Sequence, residues 1–393
     1  MSNISALLLL TILLMQSCSV VFPVIAPFKD LPPPTGPHAV GTRVTTWVDS
    51  TRDETFTTET DFRRIVVQVW YPVGEQNNGT PTFYIDSPKL RMPALAKQLR
   101  LPVFPINHFG RVKTNSYSNT MGADSSNQYP VILFSHGLSG MRYQNTSLME
   151  ELASQGYVVF AADHSYGANI TIFPDGDVAE YRVGRRRVLS AEQLEHIDLS
   201  QLSILVSDLS FMIDQLSGNR QDPFLEGLSY DPGNIGAIGH SLGGAAVINT
   251  IVEDDRIDAT FVLDGWYIPI PDSVLLSGVE KPFFHLGQKK WKDPNNYPRM
   301  DRLISHSSGP VYTLLIPGTK HTDYTDMPLF TPISFYIGYT GARDPIGLNN
   351  LIRKNAISFF DTYLKGTNPK ALKTLIDAER GASSYIFLPP AAN

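Results

Sequence analysis

The run Ile235-Gly236-Ala237-Ile238-Gly239-His240-Ser241-Leu242-Gly243-Gly244-Ala245-Ala246-Val247-Ile248 decides how this chain is read. An apolar segment ends at Gly239 and a stretch of helical composition begins just beyond Gly243, so Ser241 stands on a strand-to-helix turn. Such a turn forces its central residue into strained backbone angles, and only small residues two positions away on either side avoid a clash. Gly239 and Gly243 meet that demand, which makes the turn a nucleophile elbow. With 29 glycines in the chain the Gly-x-Ser-x-Gly spelling alone is weak, so its surroundings must carry the reading.

Working outward, strands and helices alternate on both sides of the elbow. Before it, strands are predicted over 131–135 and 158–162 with a helix over 144–154 between them. Residues 191–216 place Leu202, Leu205, Val206, Leu209, Ile213 and Leu216 at helical spacing, with Gly218 as a stop. After the elbow come strands over 257–263, 282–286 and 311–316 and a last helix over 348–363. The alternation predicts a mostly parallel central sheet with helices on both faces. Two early strands over 43–48 and 64–71 precede this core. Residues 75–128 carry many Pro, Gly, Asn and Ser around a short apolar helix at 90–99, and read as an insertion with lid or surface character.

A serine hydroxyl is a poor nucleophile at neutral pH, so it needs a base, and the base needs an acid to fix its tautomer. On a sheet with this elbow the chain order is serine, acid, histidine. Asp264 closes the strand run Phe261-Val262-Leu263 and is followed by Gly265. Among the later histidines, His285 lies inside an apolar strand and His306 in a polar surface stretch. His321 follows Pro317-Gly318-Thr319-Lys320 in the loop that leaves the strand over 311–316, where function collects in such sheets. The expected oxyanion donors are the backbone amides of Leu242, after the serine, and of Leu138 in Ser135-His136-Gly137-Leu138-Ser139-Gly140. His136 reads as a brace for that loop rather than a base. Trp266 and Tyr267, beside the acid, are candidate substrate contacts. Leu329, Phe330, Phe335, Tyr336 and Tyr339 form an apolar stretch that suits either a lip or a second layer of core.

Together, Phe134-Ser135-His136-Gly137-Leu138, Gly239-His240-Ser241-Leu242-Gly243-Gly244, Leu263-Asp264-Gly265-Trp266 with Pro269, and His321-Thr322-Asp323-Tyr324 resemble the platelet-activating-factor acetylhydrolases of the plasma and isoform II type. The resemblance runs from about residue 43 to 363. It implies an α/β-hydrolase fold and a calcium-independent Ser-Asp-His triad of Ser241, Asp264 and His321. It also implies cleavage of short or oxidised acyl groups from phospholipids. The chain departs from the mammalian pattern with Leu242 for phenylalanine, Gly265 for alanine, and a different Ala161-Ala162-Asp163-His164-Ser165-Tyr166 loop. These departures fall where substrate choice is made, so general carboxylesterase and polyester hydrolase activity stand as alternatives.

The chain of 393 residues is 42% hydrophobic with a formal charge of -6 and no basic run, which argues against a nucleic-acid partner. No metal-ligand spacing or glycine-rich phosphate loop occurs, and the chemistry above requires no cofactor. Residues 7–15 form an apolar run of signal-peptide length, too short to span a bilayer, so residues 1–18 are read as a leader directing export. The only cysteine, Cys18, follows in Leu14-Met15-Gln16-Ser17-Cys18, which resembles a lipobox. Two readings stand: a bacterial lipoprotein held to the membrane by a lipid on Cys18, or a secreted or periplasmic protein with an ordinary signal. Residues 19–40 read as a proline-rich tether and 41–393 as one catalytic domain. Asn78, Asn145 and Asn169 fit the glycosylation acceptor pattern. The remaining rivals are a serine peptidase, disfavoured by the lack of propeller repeats, and a non-catalytic binding protein on the same fold.

Overall fold

The computed structural model describes residues 22–389 except 25, 59, 75–78, 123–126, 183–190, 219–221 and 380, with backbone alone for 191–198. The leader, Cys18 and Asn78 therefore lie outside the described residues. Among the described residues the thirteen strands are β1 (Ala39–Asp53), β2 (Phe62–Val73), β3 (Thr80–Phe83), β4 (Lys113–Ser118), β5 (Tyr129–Ser135), β6 (Val158–Asp163), β7 (Ile170–Ile172), β8 (Val178–Glu180), β9 (Tyr230–His240), β10 (Ile257–Leu263), β11 (Phe283–Gln288), β12 (Val311–Ile316) and β13 (Ser383–Phe387). Eleven form one sheet in the order β13-β12-β11-β10-β9-β5-β6-β2-β1-β4-β3, and β7 pairs with β8 separately. The central six, β12 to β6, are parallel, while β2 and β13 join them antiparallel.

The helices are α1 (Pro88–Leu99), α2 (Thr146–Ser154), α3 (Ala191–Gly218), α4 (Leu242–Glu253), α5 (Asp272–Ser277), α6 (Asn296–His306), α7 (Met327–Phe330), α8 (Ile333–Tyr336), α9 (Pro345–Leu364) and α10 (Lys370–Ala378). Alternation along β5 explains the layering: Ile132 and Phe134 pack with residues of α2, α9 and α10, whereas Val131 and Leu133 pack with α3, α4 and α6. A central parallel strand buried on both faces has no polar side to show, hence the unbroken apolar runs in the sequence. This is the α/β-hydrolase fold. β6 lies on one side of β5 and β9 on the other, so the sheet's switch point opens between the carboxyl ends of β5 and β9.

Two segments differ from their sequence reading. Within the stretch read as an insertion, β4 pairs with β1 and β3 with β4, so its described strands extend the sheet edge. Within that stretch α1 is pinned by Arg91, 1% exposed, whose guanidinium donates to the carbonyl of Ile170 at 2.8 Å and to Asp163 at 3.3 Å. The proline-rich stretch is extended but fastened along the fold rather than standing away from it. Prolines leave carbonyls without competing N–H groups, and the Arg353 guanidinium takes those of Pro32 and Pro33 at 3.0 Å each. Thr35 bonds Glu151 through its backbone N–H at 2.9 Å, and Leu31 is 5% exposed.

Candidate active site

β9 ends at His240 and α4 starts at Leu242, leaving Ser241 alone in the turn at φ 57°, ψ -117°. The flanking glycines are required by space as well as by strain. A Cβ on Gly239 would lie 2.1 Å from the carbonyl oxygen of Gly243, and one on Gly243 would lie 2.1 Å from that of Ser135. Asp264 and Ser139 also hold left-handed backbone, at φ 45° and 54°. Three non-glycine residues in this region around one crevice are the mark of a functional centre.

Asp264, fully buried just past β10, accepts four hydrogen bonds. His321 Nδ1 donates to Oδ2 at 2.6 Å and the Gln288 side-chain amide at 2.8 Å. The Gln288 backbone N–H donates to Oδ1 at 2.8 Å and Trp291 Nε1 at 3.2 Å. Burial alone would push this carboxyl up, but the bonds from His321 and Gln288 outweigh it and hold it below the ordinary carboxylate value. Gly287 makes room for this arrangement, since a Cβ there would meet His285 Nε2 at 2.6 Å and Asp264 Oδ1 at 2.7 Å.

His321 leaves β12 in a short 3-10 turn, His321–Tyr324, closed by Asp323, which accepts from the backbone N–H groups of Lys320 at 2.7 Å and Gly341 at 2.8 Å. His321 and Ser241 both line two cavities. One, of about 560 Å³, is bordered by Leu138, Trp266, Trp291, Lys292 and Asp293. The other, of about 220 Å³, is more apolar and has walls from Leu95, Leu99, Phe109, Met141, Met327 and Phe330.

The loop over 136–140 approaches so closely that a Cβ on Gly137 would lie 2.9 Å from Cβ of Ser241. The Leu242 amide opens α4, where first-turn N–H groups have no intrahelical acceptor. Leu138 lines both cavities with Ser241. His136 braces this loop: its Nε2 accepts from the His164 backbone N–H at 3.2 Å, so Nδ1–H donates to the Gly137 carbonyl at 2.7 Å. Burial, with His164 alongside, holds His136 down to about 4, keeping the ring neutral. Gln98 of α1 donates to the Ser139 carbonyl at 3.1 Å, tying the insertion to the same loop.

Other sequence readings resolve differently. Trp266 is half-buried and borders the larger cavity. Tyr267 does not touch either cavity; it is fully buried, with its hydroxyl 2.9 Å from His285 Nδ1 and its backbone N–H on Asn296. The residue after a strand-end aromatic turns inward here, so Tyr267 is core. Phe330 and Tyr339 line the smaller cavity and Leu329 is core, whereas Phe335 and Tyr336 are exposed. Asn145 and Asn169 are 3% and 8% exposed, and their amides bond the carbonyl of Tyr324 and the side chain of Gln98, which removes them as glycosylation acceptors in the folded chain. Gln288, Trp291 and Gln144 escaped the sequence reading; only Gln288, as the last residue of an apolar strand, carried a positional signal. Among the described residues no cluster of three or more His, Cys, Asp or Glu suits a metal, and no helix is long and apolar enough to cross a membrane.

A family model described as platelet-activating factor acetylhydrolase, isoform II, matches residues 25–373. The platelet-activating factor acetylhydrolase of Cavia porcellus is 28% identical over 283 residues, covering 65% of this chain and 62% of that protein. That of Bos taurus is 28% identical over 270 residues, covering 60% and 57%. The chain thus spans about three fifths of the length of these vertebrate relatives. A probable 1-alkyl-2-acetylglycerophosphocholine esterase of Arthroderma benhamiae is 26% identical over 341 residues, covering 81% of this chain and 80% of that one. Among solved structures, a ferulic acid esterase from Streptomyces cinnamoneus aligns with a TM-score of 0.71 at 25% identity, covering 90% of this chain and 97% of its own.

Proposed function

Because the chain belongs to the platelet-activating factor acetylhydrolase isoform II family, we propose that it is a serine esterase in which Ser241, His321 and Asp264 act as a triad. The observation that carries this is the 2.6 Å bond from His321 Nδ1 to Asp264 beside a serine that shares both cavities with His321. With Nδ1–H committed to Asp264, Nε2 is the basic nitrogen left to take the Ser241 proton. Ser241 Oγ attacks the ester carbonyl carbon, its proton passes to His321, and the carbonyl oxygen takes the electron pair between the amides of Leu138 and Leu242. Collapse breaks the C–O bond, the alcohol leaves with the proton from His321, and water repeats the sequence to free the acid and restore Ser241.

In this reading the apolar cavity holds the acyl chain and the wider, more polar one, bordered by Trp266, Trp291 and Lys292, holds the alcohol part. The substrate class is a carboxylic ester, with short or oxidised acyl chains of phospholipids first. The ferulic acid esterase likeness favours a second reading, a general carboxylesterase, and the two tryptophans suit an aromatic group. Hydrolysis rates across an acyl-length series, on phospholipids and on p-nitrophenyl esters, decide between them. Rates that peak at short acyl phospholipids support the first, and rates indifferent to the phosphate support the second. Export by the leader, with or without a lipid on Cys18, is part of the proposal and is checked by mass spectrometry of the mature N-terminus.

A further inference from the structure

The elbow residue His240 has both ring nitrogens engaged although it is 5% exposed and sits where an apolar side chain would pack. Gln144 Oε1 accepts the Met141 backbone N–H at 3.3 Å, which turns its amide nitrogen toward His240 Nδ1 at 3.0 Å. Nδ1 therefore accepts, and Nε2–H donates to the backbone carbonyl of His321 at 3.2 Å. The His240 and His321 rings stack at 4.6 Å with 29° between their planes, and Trp291 meets the His321 ring edge-on at 5.0 Å. The Gln144 backbone carbonyl also accepts from Asp326 N–H at 2.9 Å, and Asn145 holds the Tyr324 carbonyl at 2.8 Å. Gly140 permits the approach, since a Cβ there would lie 2.3 Å from Gln144 Oε1.

From this geometry we infer that Gln144 and His240 are positioning residues for the base, joining the oxyanion loop, the elbow and the His321 loop in one side-chain relay. This rests on the esterase reading above. The Asp264 bond fixes one nitrogen of His321 but leaves the ring free to swing about it; the stacked ring of His240 and its hold on the backbone remove that freedom. Small misplacements of a catalytic group are expensive, so loss of the relay appears in turnover rather than in substrate affinity. His240 also stays neutral: burial, then His321 beside it, holds it down to about 3. It neither competes for the serine proton nor sets a cation against the imidazolium that forms on His321. The other titratable groups facing it are Asp264 and His136.

The test compares the full chain with its H240F and H240Q variants on p-nitrophenyl acetate. H240F keeps the stack and the packing but has no donor, while H240Q carries an N–H to the position of Nε2. Expected for H240F are a kcat at least about tenfold lower, a KM within about twofold and an undiminished Tm, with H240Q recovering at least about fivefold of the loss. An H240F kcat above half the wild-type value, or an H240Q no better than H240F, overturns the inference. If H240F does not fold, ¹⁵N-histidine spectra of the unaltered chain decide. A neutral Nε2–H tautomer at His240 from about pH 8 down to about 5 supports the relay, and an Nδ1–H or doubly protonated ring overturns it. A wild-type chain that neither hydrolyses the ester nor reacts with a fluorophosphonate sinks the esterase reading first, before any variant is compared.

Discussion

Two groupings of serine, histidine and aspartate, an inner and an outer row, stand out among the described residues, and the outer one faces solvent. In the inner row Ser135 Oγ is 3.0 Å from His164 Nε2 and His164 Nδ1 is 2.9 Å from Asp208, with all three residues fully buried. Asp208 is further clamped by Arg63 at 2.7 Å and Arg52 at 2.9 Å, and its carboxyl lies far below the ordinary value because Arg63 and His164 outweigh its burial. In the outer row the His321 side chain is 36% exposed and Ser241 borders two cavities. The same three residue types serve different ends. A sealed row has no position for an acyl carbon or for water, and its Ser135 stands at the root of the loop over 136–140. An open row with strained backbone and orphan amides has room for a reaction.

The contrast breaks most sharply at the serines. S241A is expected to lower kcat on the order of 10⁶-fold and abolish fluorophosphonate labelling. S135A should stay within about tenfold of wild type, because it removes one buried hydrogen bond and no reacting atom. Labelling that survives S241A and vanishes in S135A would exchange the two rows. The acids come next: D264N should cost about 10⁴ in kcat through the wrong histidine tautomer. D208N should instead cost about 3 kcal/mol of stability by leaving the buried Arg63 charge with Glu54 as its remaining carboxylate; urea unfolding read beside turnover separates the effects.

A smaller effect concerns pH. His240 is neutral when folded, at about 3, but in the unfolded chain it charges below about 6.5. Between those values only the unfolded chain gains the proton, so wild type loses about 1.4 kcal/mol per pH unit from this group as pH falls. The H240F variant lacks the term, so its stability relative to wild type should rise from pH 7 to about 4.5; a constant gap would mean that His240 is charged in the fold. The acids Asp264 and Asp208 fall outside this window, since their contributions are lost only as pH drops below about 3.9. The smallest expected change is in W291F, which deletes one of four bonds to Asp264 and should cost only a few-fold in kcat.

Much of the fold was legible because each residue that matters for the outer row closes a strand. Asp264 follows Leu263 and His321 follows the turn after Ile316, so periodicity and glycine placement located both, whereas Gln288 ends β11 with only its position to mark it. In the inner row Ser135 ends β5 and His164 follows β6, but Asp208 carries no such mark: it lies mid-helix among apolar residues, and only the packing of α3 against the sheet brings it to His164. α6 was missed because Asn296–His306 is mostly polar and contains Pro298, with only Met300 and Leu303 buried deeply among its apolar residues. Strands β3 and β4 were missed because Thr80–Phe83 and Lys113–Ser118 have little apolar alternation and gain their place from edge pairing. Tyr267 was misplaced because side-chain direction after a strand end depends on the backbone turn, which composition does not encode.

The fastening of Pro32 and Pro33 to Arg353 joins residues 321 and 320 positions apart in the chain. A ribosome releases those prolines long before it makes their arginine, so the stretch around Pro32 is secured almost last. Synthesis stopped short of the penultimate helix would leave it loose, and the hydrogen-bonding groups of Glu151 and Ser147 with it. A chain built this way completes its fold only after synthesis is nearly finished.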